Sequence, residues 1–162
     1  MVLTPRSPGV QNVLCKHDEN SGAVEAGAIV YLSGSNKVAP VAASGNVPYG
    51  MLAQKVVAQL AGLPANFEFP GEIGASQARL GDPVCLYQSG IFETTHYILP
   101  VGCSAGDALY AHFSSGGKLT KVAASGAIGT DGARKVVAIA QNTLTTNEAA
   151  AGKNLTVKLL FV

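Results

Sequence analysis

The sequence predicts an all-β protein: a small antiparallel β-barrel or sandwich built from a duplicated hairpin unit, with an extended N-terminal arm. Three observations carry that prediction. Hydrophobic residues reach 48% but rest on Ala and Val, with no Trp and nineteen Gly, a mixture that suits short strands and tight turns better than packed helices. The apolar runs are short and bounded by Gly, Ser and Asn clusters. The stretch from Ala26 to Gln54 is also written a second time, from Ala105 to Gln141. Gly27 then stands with Gly106, Tyr31 with Tyr110 and Lys37 with Lys118, and the five residues VAASG recur at 41–45 and 122–126. Insertions at Gly and Ser clusters, where loops tolerate them, bring Ala53-Gln54 onto Ala140-Gln141.

These signals divide the chain into an arm, 1–21, and a duplicated β domain, 22–162. Within the domain, copy one is 22–57, an excursion 58–80, a hairpin 81–99 and copy two 101–162. The arm carries Pro5, Pro8 and a charged cluster at 16–19. It reads as an extended segment with a short strand over 10–14, or as a disordered tail. Residues 23–32 make a strand between Gly22 and the turn Ser33-Gly34-Ser35-Asn36. A second strand over 38–42 returns as a hairpin, and Pro40 puts it at an edge. A third follows over 49–57, although 51–61 also scores as an amphipathic helix.

The excursion holds Phe67 and Phe69 around Glu68, then Pro70, and its length inside a repeat points to function or disorder. Residues 81–97 read as two strands about a turn at Gln88-Ser89-Gly90, with apolar side chains on both faces. After copy two, 142–152 is a polar Ala-rich loop with room for one helical turn, and 154–162 is a β-prone run.

The chemistry is sparse. Eleven Lys and Arg stand against ten Asp and Glu, which leaves no electrostatic footprint for nucleic acid. No run of eighteen apolar residues occurs, so no membrane-spanning helix is expected. Pro5, Arg6 and Pro8 break any signal-peptide apolar core at the N-terminus. Gly102-Cys103-Ser104-Ala105-Gly106 fits G-x-S-x-G, but a nucleophile elbow needs a helix after the serine, and here a strand is repeated. Cys15, Cys85 and Cys103 are odd in number, lack CxxC spacing and are expected to remain free thiols. With His17, His96 and His112 they form no ligand-spaced set, so no metal site is expected. Asp82 and Asp107 fit turn-forming roles in Gly-Asp turns. No phosphate-binding glycine motif occurs and no cofactor is expected.

The segments Val24-Glu25-Ala26-Gly27-Ala28-Ile29-Val30-Tyr31-Leu32, Asn36-Lys37-Val38 and Pro48-Tyr49-Gly50-Met51-Leu52-Ala53, with 155–162, resemble the small β-barrel decoration, or cement, proteins of tailed-bacteriophage capsids. The resemblance implies a non-enzymatic structural protein, made in the host cytoplasm and docked on the exterior of the virion capsid. Its partners would be the major capsid protein and further copies of itself, a homotrimer being favoured, with no nucleic acid or membrane involved. Apolar residues outside the repeated unit are then expected at interfaces: Val2, Leu3, Val10, Val13 and Leu14 in the arm, and Phe67, Phe69 and Pro70 in the excursion. The phenylalanines also suit a plug for one open end of their own barrel. Alternatives are a receptor- or carbohydrate-binding domain of a phage fibre and, remotely, a small serine hydrolase using Ser104.

Overall fold

A computed structural model describes residues 3–5, 11–43, 45–58, 77–121 and 135–161. Their strands are β1 (Leu3–Pro5), β2 (Gln11–His17), β3 (Ile29–Gly34), β4 (Lys37–Pro40), β5 (Pro48–Leu52), β6 (Lys55–Val57), β7 (Gln77–Arg79), β8 (Pro83–Tyr87), β9 (Ser89–Thr94), β10 (Tyr97–Ile98), β11 (Ala108–His112), β12 (Lys118–Thr120), β13 (Ala138–Ala140) and β14 (Leu155–Leu160). One short helix, α1 (Thr146–Ala150), precedes the last strand. The protein is all-β, as the composition predicts.

The strands form two bodies. In the first, β2-β4-β3-β5-β8 close into a barrel. In the second, the sheet order is β1-β9-β14-β13-β11-β12-β10. Only Thr95 and His96 separate β9 from β10, so the far end of this row returns beside β9 and the sheet rolls up on itself.

Backbone bonds recur between the two bodies. Val24 and Val56 form an isolated antiparallel bridge, as do Cys103 and Leu144. The Gly27 amide donates to the Leu52 carbonyl and the Leu52 amide to Ala28, both at 2.8 Å. The Gly106 amide likewise donates to Ala140 at 2.8 Å and the Ala140 amide to Asp107 at 3.0 Å. Gly27 and Gly106 both have positive φ, 89° and 93°. Each body has the same antiparallel triplet, β4-β3-β5 in one and β12-β11-β13 in the other. A parallel neighbour adds to each, β2 on β4 and β10 on β12.

These bonds correct the expected alignment. Leu52, not Ala53, stands with Ala140, and the Ala53 and Gln141 amides donate equivalently to Cys85 and Thr156. The shared Ala-Gln pair misleads by one residue, a slip that would exchange the faces of the strand. Leu52 and Ala140 are both completely buried.

Four further expectations change. The 81–97 hairpin is not one: β8 pairs with β2 and β5, whereas β9 pairs with β1 and β14. Gln88 therefore passes the chain from one body to the other. The β4 strand is internal rather than an edge, between β2 and β3. Pro40 is tolerated because the Val41 amide bonds toward β3, so the missing proline N–H would face β2, whose pairing stops at Val38. The third strand breaks after Leu52 and resumes as β6, which pairs in parallel with β7; residues 51–58 are not helical. Finally, the arm is not separate. β2 is a stave of the first barrel, and β1 pairs with β9 of the second body.

Two hydrophobic clusters match this plan. Val24, Val30, Val38, Leu52, Val56, Val84 and Leu86 are among the residues filling the first barrel. The second cluster fills the other body around Phe92, Leu109, Leu119 and Val157, and takes in Ile29, Val41 and Met51 from the first. Adjacent strand residues point to opposite faces, so Ile29 and Met51 serve the seam while Val30 and Leu52 serve the barrel. All four are fully buried, which explains why these strands read as continuous apolar runs rather than alternating ones.

Candidate functional site

The chemical candidates fall apart into structural roles. Ser104 sits in the turn before β11, where its amide donates to Asp107 Oδ2 at 2.7 Å. A strand, not a helix, follows it. His112 is at the far end of β11, roughly 13 Å beyond Ala108 at strand rise, and its Nδ1 meets Ser114 Oγ at 3.2 Å. Asp82 and Asp107 each accept a backbone N–H from three residues earlier, Arg79 at 2.9 Å and Ser104 at 2.7 Å. Asp107 also pairs with Lys121 at 2.8 Å, which holds its carboxyl below the usual range.

Cys15, Cys85 and Cys103 are free, and burial pushes the Cys15 and Cys103 thiols up, away from the nucleophilic thiolate. No group of three or more His, Cys, Asp or Glu side chains suited to a metal stands among the described residues. No helix among them is long and apolar enough to cross a membrane.

Val2, Val10, Phe67, Phe69 and Pro70 lie outside the described residues. For Leu3, Val13 and Leu14 the backbone is placed, within β1 and β2.

What the described surface does offer is an open groove of about 350 Å³, lined by Tyr31, Leu32, Gly45, Asn46, Val47, Pro48 and Tyr49. None of these side chains is charged. Leu32 is 47% and Val47 60% exposed, two of the three large hydrophobics left in water among the described residues. A register shift between β3 and β5 lies beside the groove, pairing Val30 with Gly50 but Tyr31 with Pro48. Asn46 Oδ1 fixes its rim by accepting the Ala42 and Ala43 amides at 3.1 and 2.8 Å. Sequence reasoning began the third strand at Tyr49 and passed over Val47. An apolar residue between a turn and a proline was the available signal, since that position lacks a strand neighbour to cover it.

Two buried histidines are the other unusual groups. His17 Nδ1 meets Ser21 Oγ at 3.2 Å, and His96 Nε2 meets the Gly116 carbonyl at 3.3 Å. The remaining ring nitrogen of each is buried without a hydrogen-bond partner among the described residues. Burial lowers the pKa of both; the Asp18 backbone and, to a lesser extent, the Asp18 carboxylate oppose this at His17, and the Gly116 carbonyl opposes it at His96.

No family model and no curated protein matches the sequence. The chain is similar to a solved structure described as "The capsid of Myoviridae Phage XM1", with a TM-score of 0.49 and 15% identity, over 96% of this chain and 86% of that one.

Proposed function

We propose that the chain is a non-enzymatic structural component of a tailed-phage head, a decoration protein docked on the outer face of the assembled capsid. The observation that supports this most directly is where the residues of the resemblance lie. Ile29–Gly34, Lys37–Pro40 and Pro48–Leu52 are adjacent staves of one closed barrel, and Leu155–Leu160 is a central strand of the second body. The apolar, uncharged groove between Tyr31 and Tyr49 supplies a surface of the kind a protein partner covers. In this reading Val2, Leu3, Val10, Val13, Leu14, Phe67, Phe69 and Pro70 add contacts to the major capsid protein or to further copies in a trimer. The two bodies descend from one duplicated unit.

The test is binding to capsids that lack the protein. Leu32→Ser with Val47→Ser is expected to leave thermal stability nearly unchanged, because both side chains are already exposed, and to weaken docking at least tenfold, about 1.4 kcal/mol. Phe67→Ser with Phe69→Ser tests the excursion in the same assay. Deleting 1–14 would remove most of a barrel stave, so the arm is better tested by deleting 1–5. Full-strength docking by all three variants, each still folded, would sink the proposal.

Tyr31 and Tyr49 on an uncharged groove also favour a second reading, a carbohydrate-binding domain of a phage fibre. A glycan array separates the two: sugar binding lost on Tyr49→Ala, without capsid binding, would select the fibre.

A further inference from the structure

We propose that His96 is an acid-sensitive latch on the seam between the two bodies: its neutral ring keeps the seam closed, and protonation opens it. The inference stands on the chain of contacts around the ring and is independent of the docking proposal.

His96 lies in the two-residue link between β9 and β10 and is 4% exposed. Its backbone is fixed on both sides, the amide donating to Thr94 Oγ1 at 3.0 Å and the carbonyl accepting the Leu119 amide at 3.1 Å. The Gly116 carbonyl can only accept, so ring Nε2 carries the hydrogen and donates. Nδ1 is then a bare lone pair, buried and without a partner among the described residues.

The residue after that acceptor joins the two bodies. The Gly117 carbonyl accepts the Ile29 amide at 2.8 Å, and a side chain on Gly117 would sit 2.2 Å from the Ile29 carbonyl, so the strands meet there without a gap. From the other side, Thr94 and His96 pack directly under Gly27, where an added Cβ would come within 2.8 Å of Thr94 Oγ1 and 3.3 Å of His96 Cβ. His96 thus sits between the Gly116-Gly117 loop and the turn leading into β3.

Charge in that position has little to balance it. Lys118 on β12 opposes protonation; Glu25, in the turn before β3, favours it but is engaged with Lys55 at 2.8 Å. Thr94 and the Gly116-Gly117 loop contribute no charge. A protonated ring in the closed seam has an N–H at Nδ1 facing no acceptor among the described residues. Opening lets water reach it. The open state therefore binds the proton more tightly than the closed one, and linkage requires acid to favour opening.

The sign follows from the direction of the shift. Because the closed-state pKa lies below the ordinary 6.5, the seam is fully stabilised above 6.5 and weakens as pH falls below it, levelling once the closed-state value is passed.

The measurement is hydrogen-exchange protection of two amides in the full chain: Ile29, bonded across the seam to Gly117, and Val56, bonded within the first body to Val24. On going from about pH 8 to about pH 5, Ile29 is expected to lose about tenfold more protection than Val56. His96→Gln keeps an N–H donor without titrating and is expected to remove that excess. His17→Gln, altered within the first body, is expected to leave it. Parallel loss at Ile29 and Val56 in the wild-type chain would overturn the latch even if His96→Gln failed to fold. So would an excess that persists in folded His96→Gln, or one abolished by His17→Gln.

Discussion

Gly116 and Gly117 are neighbours with nearly the same left-handed φ, 64° and 71°, yet they face different surroundings. An added Cβ on Gly116 meets nothing within 4 Å, whereas on Gly117 it meets the Ile29 carbonyl at 2.2 Å. Gly116→Ala is therefore expected to cost only the left-handed penalty, about 1 kcal/mol. Gly117→Ala adds a backbone collision at the seam and is expected to cost about 3 kcal/mol or more. Urea unfolding of the two variants measures the difference, and equal losses would contradict the tight approach. The cysteines give a second check. Cys15 and Cys103 are buried, so native labelling is expected to reach Cys85 first, with all three labelled after non-reducing unfolding. At this scale the sequence showed which glycines begin turns but not which ones another strand crowds, because crowding belongs to contacts distant in the chain.

Among the elements, α1 is the one whose local code is complete. Thr145 caps it, accepting the Glu148 amide at 3.3 Å, while Glu148 Oε2 accepts the Thr145 amide at 3.0 Å. Lys153 Nζ holds Glu148 Oε1 at 2.8 Å, and with the Thr145 bonds this brings the Glu148 carboxyl down to about 2. A depressed carboxyl stabilises the fold above its ordinary 4.5, and that contribution is lost as pH falls toward 2. Thr145→Ala is expected to cost about 1 kcal/mol, by thermal or urea unfolding near neutral pH. The same element shows why some assignments failed. The segment 142–152 announced its helical turn through Thr, Asn and Glu spacing, a local signal. Whether Gln88-Ser89-Gly90 closes a hairpin depends on which strands lie beside β8 and β9, and two apolar strands about a Gly-containing turn look the same either way. Pro40 misled for a related reason: proline excludes one hydrogen bond, not a whole neighbouring strand.

For the molecule as a whole, composition and the short, turn-bounded apolar runs made the all-β class legible. The parallel pairing of β2 to β4 and of β10 to β12 was hidden, because nothing in either pair of segments marks the other as its neighbour. The candidate groove was hidden as well. It rests on Leu32 and Val47 standing exposed beside a register shift between β3 and β5, and register is not written in either residue alone. Covering that groove is expected to protect it. In hydrogen exchange on decorated capsids, protection of the loop amides around Asn46 and Val47 should rise while β12 stays as it was. An unchanged groove would count against the proposed docking through it.

The pairing of β1 with β9 also bears on the order in which the chain is made. Leu3–Pro5 leaves the ribosome ahead of the closed barrel, but its partners, Phe92 to Thr94, follow only after the whole of that barrel has been synthesised. At roughly 5–20 residues per second that is a wait of several seconds. By its end the barrel has all its own staves, while β1 has had none to join. Residues translated ahead of the barrel thus find their partner strand only after it, and their placement belongs to assembly of the second body rather than of the first.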